Sequence, residues 1–204
     1  MKMEKSERET ALFRTLLIFA MIVLAAALRL APHPWNFTPV GAIALFAGAT
    51  VRDRGLAFLF PLLVMLATDL IIGFNKLSPL VYASFVLSVL IGRALVVGVV
   101  GERFRATRSE RASANPKRRI VPRVAAATLL GALQFFLITN FGVWAFLDSY
   151  PRTGSGLVAC YLAGIPLFWN TLAGDATYVT LLVGGLLLAE RFVPQLRQAA
   201  LPNR

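Results

Sequence analysis

Long apolar runs divided by short polar breaks set the plan of this chain. The first run predicts a span from about Ala11 to Leu30, in which Arg14 and Arg29 reach opposite interfaces and lengthen a short uncharged stretch to about 20 residues. Pro32, Pro34 and Pro39 then exclude helix across the loop Pro32–Thr38. Each ring fixes φ, removes a backbone donor and pushes the preceding residue towards extended geometry. Thr38-Pro39 reads as an N-cap followed by proline at the first helical position, opening a second helix from Pro39 to about Val51. At about 1.5 Å per residue this helix is about 20 Å long, less than a bilayer core. It therefore needs protecting neighbours or a cavity beside it.

Arg52-Asp53-Arg54 makes a charged turn before span three, Gly55 to Gly73, which carries Pro61 and Asp69. Span four, Pro79 to about Gly101, carries Tyr82, the helically spaced set Ser84, Ser88 and Gly92, and then Arg93. Glu102 to Arg123 holds eight Lys/Arg against two Glu and is expected to be a solvated loop near anionic headgroups. Span five, about Val124 to Leu147, runs 24 residues without a charge. The stretch Gly156 to Val193 is too long for one span, and Gly164 and Pro166 predict a break in it. The expectation is a partly re-entrant or interfacial helix over Gly156–Ala163, then a final span of Leu167–Glu190.

This pattern predicts an all-α integral membrane protein. The fold is a six-span helical bundle with a short second helix, a broken last segment and both termini cytoplasmic. Residues 1–204 form one membrane domain, with a tail (1–10), the basic loop (102–123) and a second tail (194–204) on the cytoplasmic side. Thr15–Leu28 resembles a signal peptide, but Glu4, Glu7, Glu9 and Arg29 spoil its flanks, so a retained span is expected.

Composition agrees: 57% of residues are hydrophobic and 15% charged, against about 25% charged in soluble domains. The net charge of +11 raises a nucleic-acid reading, but the basic residues sit where cytoplasmic loops fall. With the amino terminus inside, 17 of the 21 Lys/Arg lie in cytoplasmic segments. No nucleic-acid partner is expected; membrane lipids are. The single cysteine, Cys160, excludes an internal disulfide and a cysteine-based zinc site. The single histidine excludes a two-histidine metal motif. No cofactor or metal is implied.

Ionisable groups inside spans are costly unless they face water, a cavity or a partner. Asp69, Arg93 and Asp175 qualify. Thr171, Asp175 and Tyr178 share one helix face by i,i+3 and i,i+4 spacing, with Asn170 just before them. Asn140 and Trp144 share a face of span five. The expected site is an outward pocket with Asp69, Asn140, Trp144, Asn170, Asp175 and Tyr178 as polar and aromatic groups, lidded by His33, Trp35, Asn36 and Thr38. Arg93 is expected to snorkel inward or support the fold, and Cys160 to pack.

The motifs Asn36-Phe37-Thr38-Pro39-Val40-Gly41-Ala42-Ile43-Ala44-Leu45-Phe46, Asp69 to Gly73, Thr139-Asn140-Phe141-Gly142-Val143-Trp144 and Asn170-Thr171-Leu172-Ala173-Gly174-Asp175 resemble an uncharacterised bacterial membrane family, a resemblance that brings no activity with it. The layout is also similar to the substrate-binding S components of energy-coupling factor vitamin importers, with an alanine-rich first span (Ala25–Ala27) and a lid between spans one and two. That resemblance implies a small-molecule ligand of vitamin or nutrient type and a transport-energising module as partner, in a bacterial inner membrane. It is analogy of architecture. Two other readings stand beside it: a membrane enzyme on a lipid or lipid-linked substrate, with two aspartates as acid and base, and a non-catalytic scaffold. No nucleophile–base motif or phosphate loop supports catalysis.

Overall fold

The computed structural model describes residues 2–51, 53–105, 116–193 and 196, which form six helices and no strand. They are α1 (Lys2–Ala27), α2 (Val40–Thr50), α3 (Arg54–Ile72), α4 (Ser78–Arg105), α5 (Pro116–Phe146) and α6 (Gly154–Phe192). All but α2 contain a stretch long and apolar enough to cross a membrane. The architecture is that of a multi-pass membrane protein. Its outer surface agrees: Leu24, Leu70, Ile71, Leu162 and Leu181 are 61–72% exposed, an apolar cladding that lipid covers and water would not tolerate. Of the expected cytoplasmic segments, Met1, Arg52, residues 106–115 and most of the 194–204 tail lie outside the described residues.

The apolar runs fold as helices with ends set by local chemistry. The Asp53 side chain caps α3 by accepting from Leu56 N–H at 2.8 Å. Gly73 ends α3 at φ 102, a conformation that favours glycine. After Ala27 the chain tightens, with Arg29 and Leu30 N–H groups bonding three residues back.

Three expectations are corrected. The segment 102–123 is not a loop throughout: α4 runs on to Arg105 and α5 begins at Pro116. Pro39, not Thr38, is the N-cap of α2, and no side chain of its own segment caps that end. The last segment is also unbroken: α6 runs through Gly164 and Pro166 for 39 residues. Gly164 serves a helix contact instead of a break, since a Cβ there would lie 2.9 Å from Asn140 Cγ on α5. Proline inside a membrane helix is tolerated where local adjustment and neighbouring groups meet the freed carbonyl.

The short α2 occupies the middle of the bundle and touches all five other helices. Every residue of α2 except Gly41 is buried, and Ile43 and Phe46 pack with Ile18, Ile22, Met65 and Val89 in the core. Its crossing with α4 is glycine-dependent on both sides. A Cβ on Gly48 would lie 2.9 Å from the Val89 carbonyl carbon, and one on Gly92 would lie 2.9 Å from that of Leu45.

A buried half-length helix leaves unbonded carbonyls at its carboxyl end. Two arginines meet them. Arg14 Nη1 donates to Thr50 O at 3.0 Å, and Arg93 Nη1 donates to Val51 O at 3.3 Å. Arg14 also pairs with Glu190 of α6 at 3.6 Å, with both side chains buried. Positive charge at that end is what the helix dipole favours.

Candidate functional site

The amino end of α2 meets a carboxylate from a different helix. Asp175, 2% exposed, lies near the middle of α6, about 30 Å and about 25 Å from its two ends at helical rise. Its carboxylate faces the Ala42 N–H and lies against the backbone of Gly41, where a Cβ would sit 2.6 Å from Oδ2. An acidic group at a helix start offsets the unbonded N–H groups there. Asp175 thus supplies the cap that Pro39 cannot.

Beside this carboxylate is a cavity of about 40 Å³. The loop contributes Asn36 and Thr38, α2 Gly41, α4 Phe85 and Ser88, α5 Gly131 and Phe135, and α6 Thr171 and Asp175. Ser88 is fixed by Gln134, whose Nε2 donates to Ser88 Oγ at 2.9 Å and Ser84 O at 3.0 Å. Phe85 and Phe135 stack with ring centres 5.4 Å apart and form the apolar wall.

The Pro32–Thr38 loop is seated on α6. Asn170 Nδ2 donates to Trp35 O at 3.0 Å, and Phe37 packs on Tyr178 with centroids 5.8 Å apart. Gly174 lets the loop backbone approach: a Cβ there would lie 3.2 Å from Phe37 Cα and Thr38 N. Asn36 takes φ 61 at the turn, a left-handed conformation that asparagine tolerates better than most residues.

Of the residues expected to converge, the structure brings Asn36, Thr38 and Asp175 to one cavity. Asn170 and Tyr178 hold the loop beside it. Trp35 is 83% exposed, and the His33 ring nitrogens face Arg29 O and Pro34 O. The remaining three are elsewhere. Asp69 pairs with Arg29 at 2.8 Å, and Arg29 also bonds Thr68. Asn140 Nδ2 bonds Phe136 O on its own helix, and Trp144 Nε1 bonds Pro151 O in the α5–α6 connection. Cys160 Sγ bonds Asn140 O at 3.3 Å.

Asp69 and Asp175 therefore do not share a cavity, and no second carboxylate faces Asp175 across it. Among the described residues no group of three or more His, Cys, Asp or Glu side chains gathers to hold a metal ion. Ser88, Gly41, Gly131, Phe85 and Phe135 were not singled out as site residues. The spacing Ser84-Ser88-Gly92 was the visible signal for the first; nothing in the pattern marks Gly131 or Phe135.

A sequence profile of a family of unknown function, DUF6580, matches residues 9–196. The chain belongs to that family. No curated protein and no solved structure matches it. In this DUF6580 chain the matched region contains all six helices' described cores, the loop and every residue lining the cavity.

Proposed function

We propose that this protein binds a small polar solute at the Asp175 cavity and acts as the substrate-binding subunit of an importer. In this reading it sits in a bacterial inner membrane with both termini inside. The observation that carries the reading is Asp175 itself. Other intramembrane ionic groups are matched within the fold, Asp69 by Arg29 and Glu190 by Arg14. Asp175 has no cationic side chain in its cavity; the start of α2 offsets its charge only in part, and a carboxylate held deep in the bundle beside an open space is a functional candidate. In this reading, which the positive-inside distribution supports, the Pro32–Thr38 loop lies on the outer side and covers the cavity like a lid.

The cavity limits the solute. Drug-sized ligands occupy pockets of roughly 300–1,000 Å³, so a vitamin does not fit the space as it stands. A nutrient of a few heavy atoms does. A scaffold role would account for the Arg29–Asp69 and Asn140 contacts and for the cap on α2, but not for the open space left beside the carboxylate.

Labelling tests this directly. A Thr171→Cys variant, made in a Cys160→Ser background, is exposed in intact cells to a small membrane-impermeant thiol reagent. Reaction from outside is expected, with Ser155→Cys as the accessible control. A control that labels while Thr171→Cys stays unmodified would remove the basis for an outward solute site.

A further inference from the structure

Two of the three hydroxyl groups around the cavity, on Thr171 and Ser88, have already committed their protons. Thr171 Oγ1 donates to Leu167 O at 3.0 Å, and Ser88 Oγ donates to Ser84 O at 3.1 Å. Each therefore offers the cavity an oxygen lone pair and no proton. The Asp175 carboxylate is also an acceptor when ionised. No arginine, lysine or histidine lines the space, and among the described residues Asp175 takes part in no salt bridge.

The acceptor oxygens, a carboxylate with no cationic side chain beside it, and Asn36 and Thr38, which can accept as well as donate, together favour a positively charged guest, and a volume of about 40 Å³ admits one small ion with little water. We propose that the Asp175 cavity binds a small monovalent cation, an ammonium or alkali-metal ion, through the Asp175 carboxylate and the oxygens of Thr171 and Ser88. This rests on the reading of the cavity as a solute site and names the class of solute. The start of α2 shares the carboxylate through Ala42 N–H, and the positive end of that helix weakens the field on the ion. Binding is therefore weak and readily reversible, as a site that must release its ion requires.

The test uses the full-length protein purified in mild detergent. Thermal unfolding is followed in sodium, potassium, ammonium and choline chloride at equal concentration and pH, with choline as a cation too large for the cavity. At least one small cation is expected to raise Tm a few degrees above choline, by mass action on the folded state. Which cation does so separates an alkali-metal site from an ammonium site. Asp175→Asn should abolish the difference, and Thr171→Val should shrink it. The proposal is overturned if no small cation exceeds choline, or if Asp175→Asn responds like the wild type. Should Asp175→Asn fail to fold, an undiminished response in Thr171→Val overturns it equally. Outside labelling of Thr171→Cys with no cation response would sink the cation and leave the solute site; loss of both would sink the two together.

Discussion

The carboxylate of Asp175 rests on the bare Cα of Gly41, so that a methyl group there would fall 2.8 Å from Asp175 Cγ. The two residues are 134 positions apart, and each makes the other's place possible. Gly41→Ala should force the carboxylate off the start of α2 and cost about 1–3 kcal/mol, the usual range for overpacking. The cost of Gly41→Ala combined with Asp175→Ala should be less than the sum of the single changes, because the clash is gone. Unfolding of the four proteins as a double-mutant cycle checks this.

The α2–α4 crossing gives a sharper case. The atoms that a Cβ on Gly92 would meet belong to the Leu45 backbone and cannot rotate away. Gly92→Ala should therefore lie at or beyond the upper end of about 1–3 kcal/mol. Gly184→Ala, where nothing lies within 4 Å, should leave Tm unchanged or slightly raised. Thermal unfolding of the pair in the same detergent separates a packing requirement from a general effect of glycine.

Arg29 and Asp69 form a buried pair with side chains 15% and 7% exposed. Removing one member leaves an unmatched charge, at a cost of about 3–5 kcal/mol. Arg29→Gln should thus destabilise strongly, and Arg29→Gln with Asp69→Asn should recover most of the loss. Neither change should alter labelling of Thr171→Cys from outside. A labelling change of the same size as that from a lid variant would show that the pair belongs to the site.

The lid is fastened by the bond from Asn170 to Trp35 O. Asn170→Ala removes it, and a net loss of about 1 kcal/mol corresponds to about a fivefold shift in the open population. Thr171→Cys should then label about five times faster. An unchanged rate would mean that Phe37 on Tyr178 holds the loop alone.

Much of this fold was legible because apolar length and proline placement act locally. The run after Pro39 was too short to span, and the structure buries it among its neighbours. The prolines before it made a loop, and that loop meets Asp175. What stayed hidden depends on depth and on partners. Asn140 and Trp144 share a helix face, but spacing does not say which neighbour the face meets or at what height. They bond within α5 and to the α5–α6 connection, roughly one and a half to two and a half turns beyond Phe135, which lines the cavity with Gly131. Gly164 and Pro166 read as a break because their local preferences favour one; the contact of Gly164 with Asn140 outweighs it. The sequence points to Thr38 as the cap of α2, whereas the group that meets that end, Asp175, lies on another helix, beyond the reach of any local rule.

The clamping of α2 at both ends has a mechanical consequence. Sliding this helix along its axis would strip Asp175 from one end and Arg14 and Arg93 from the other, exposing charges in a low-dielectric interior at both places together. α2 is thus the stator of the molecule. If the cavity opens to a solute as proposed, the change falls to the loop and to α6 and not to this helix.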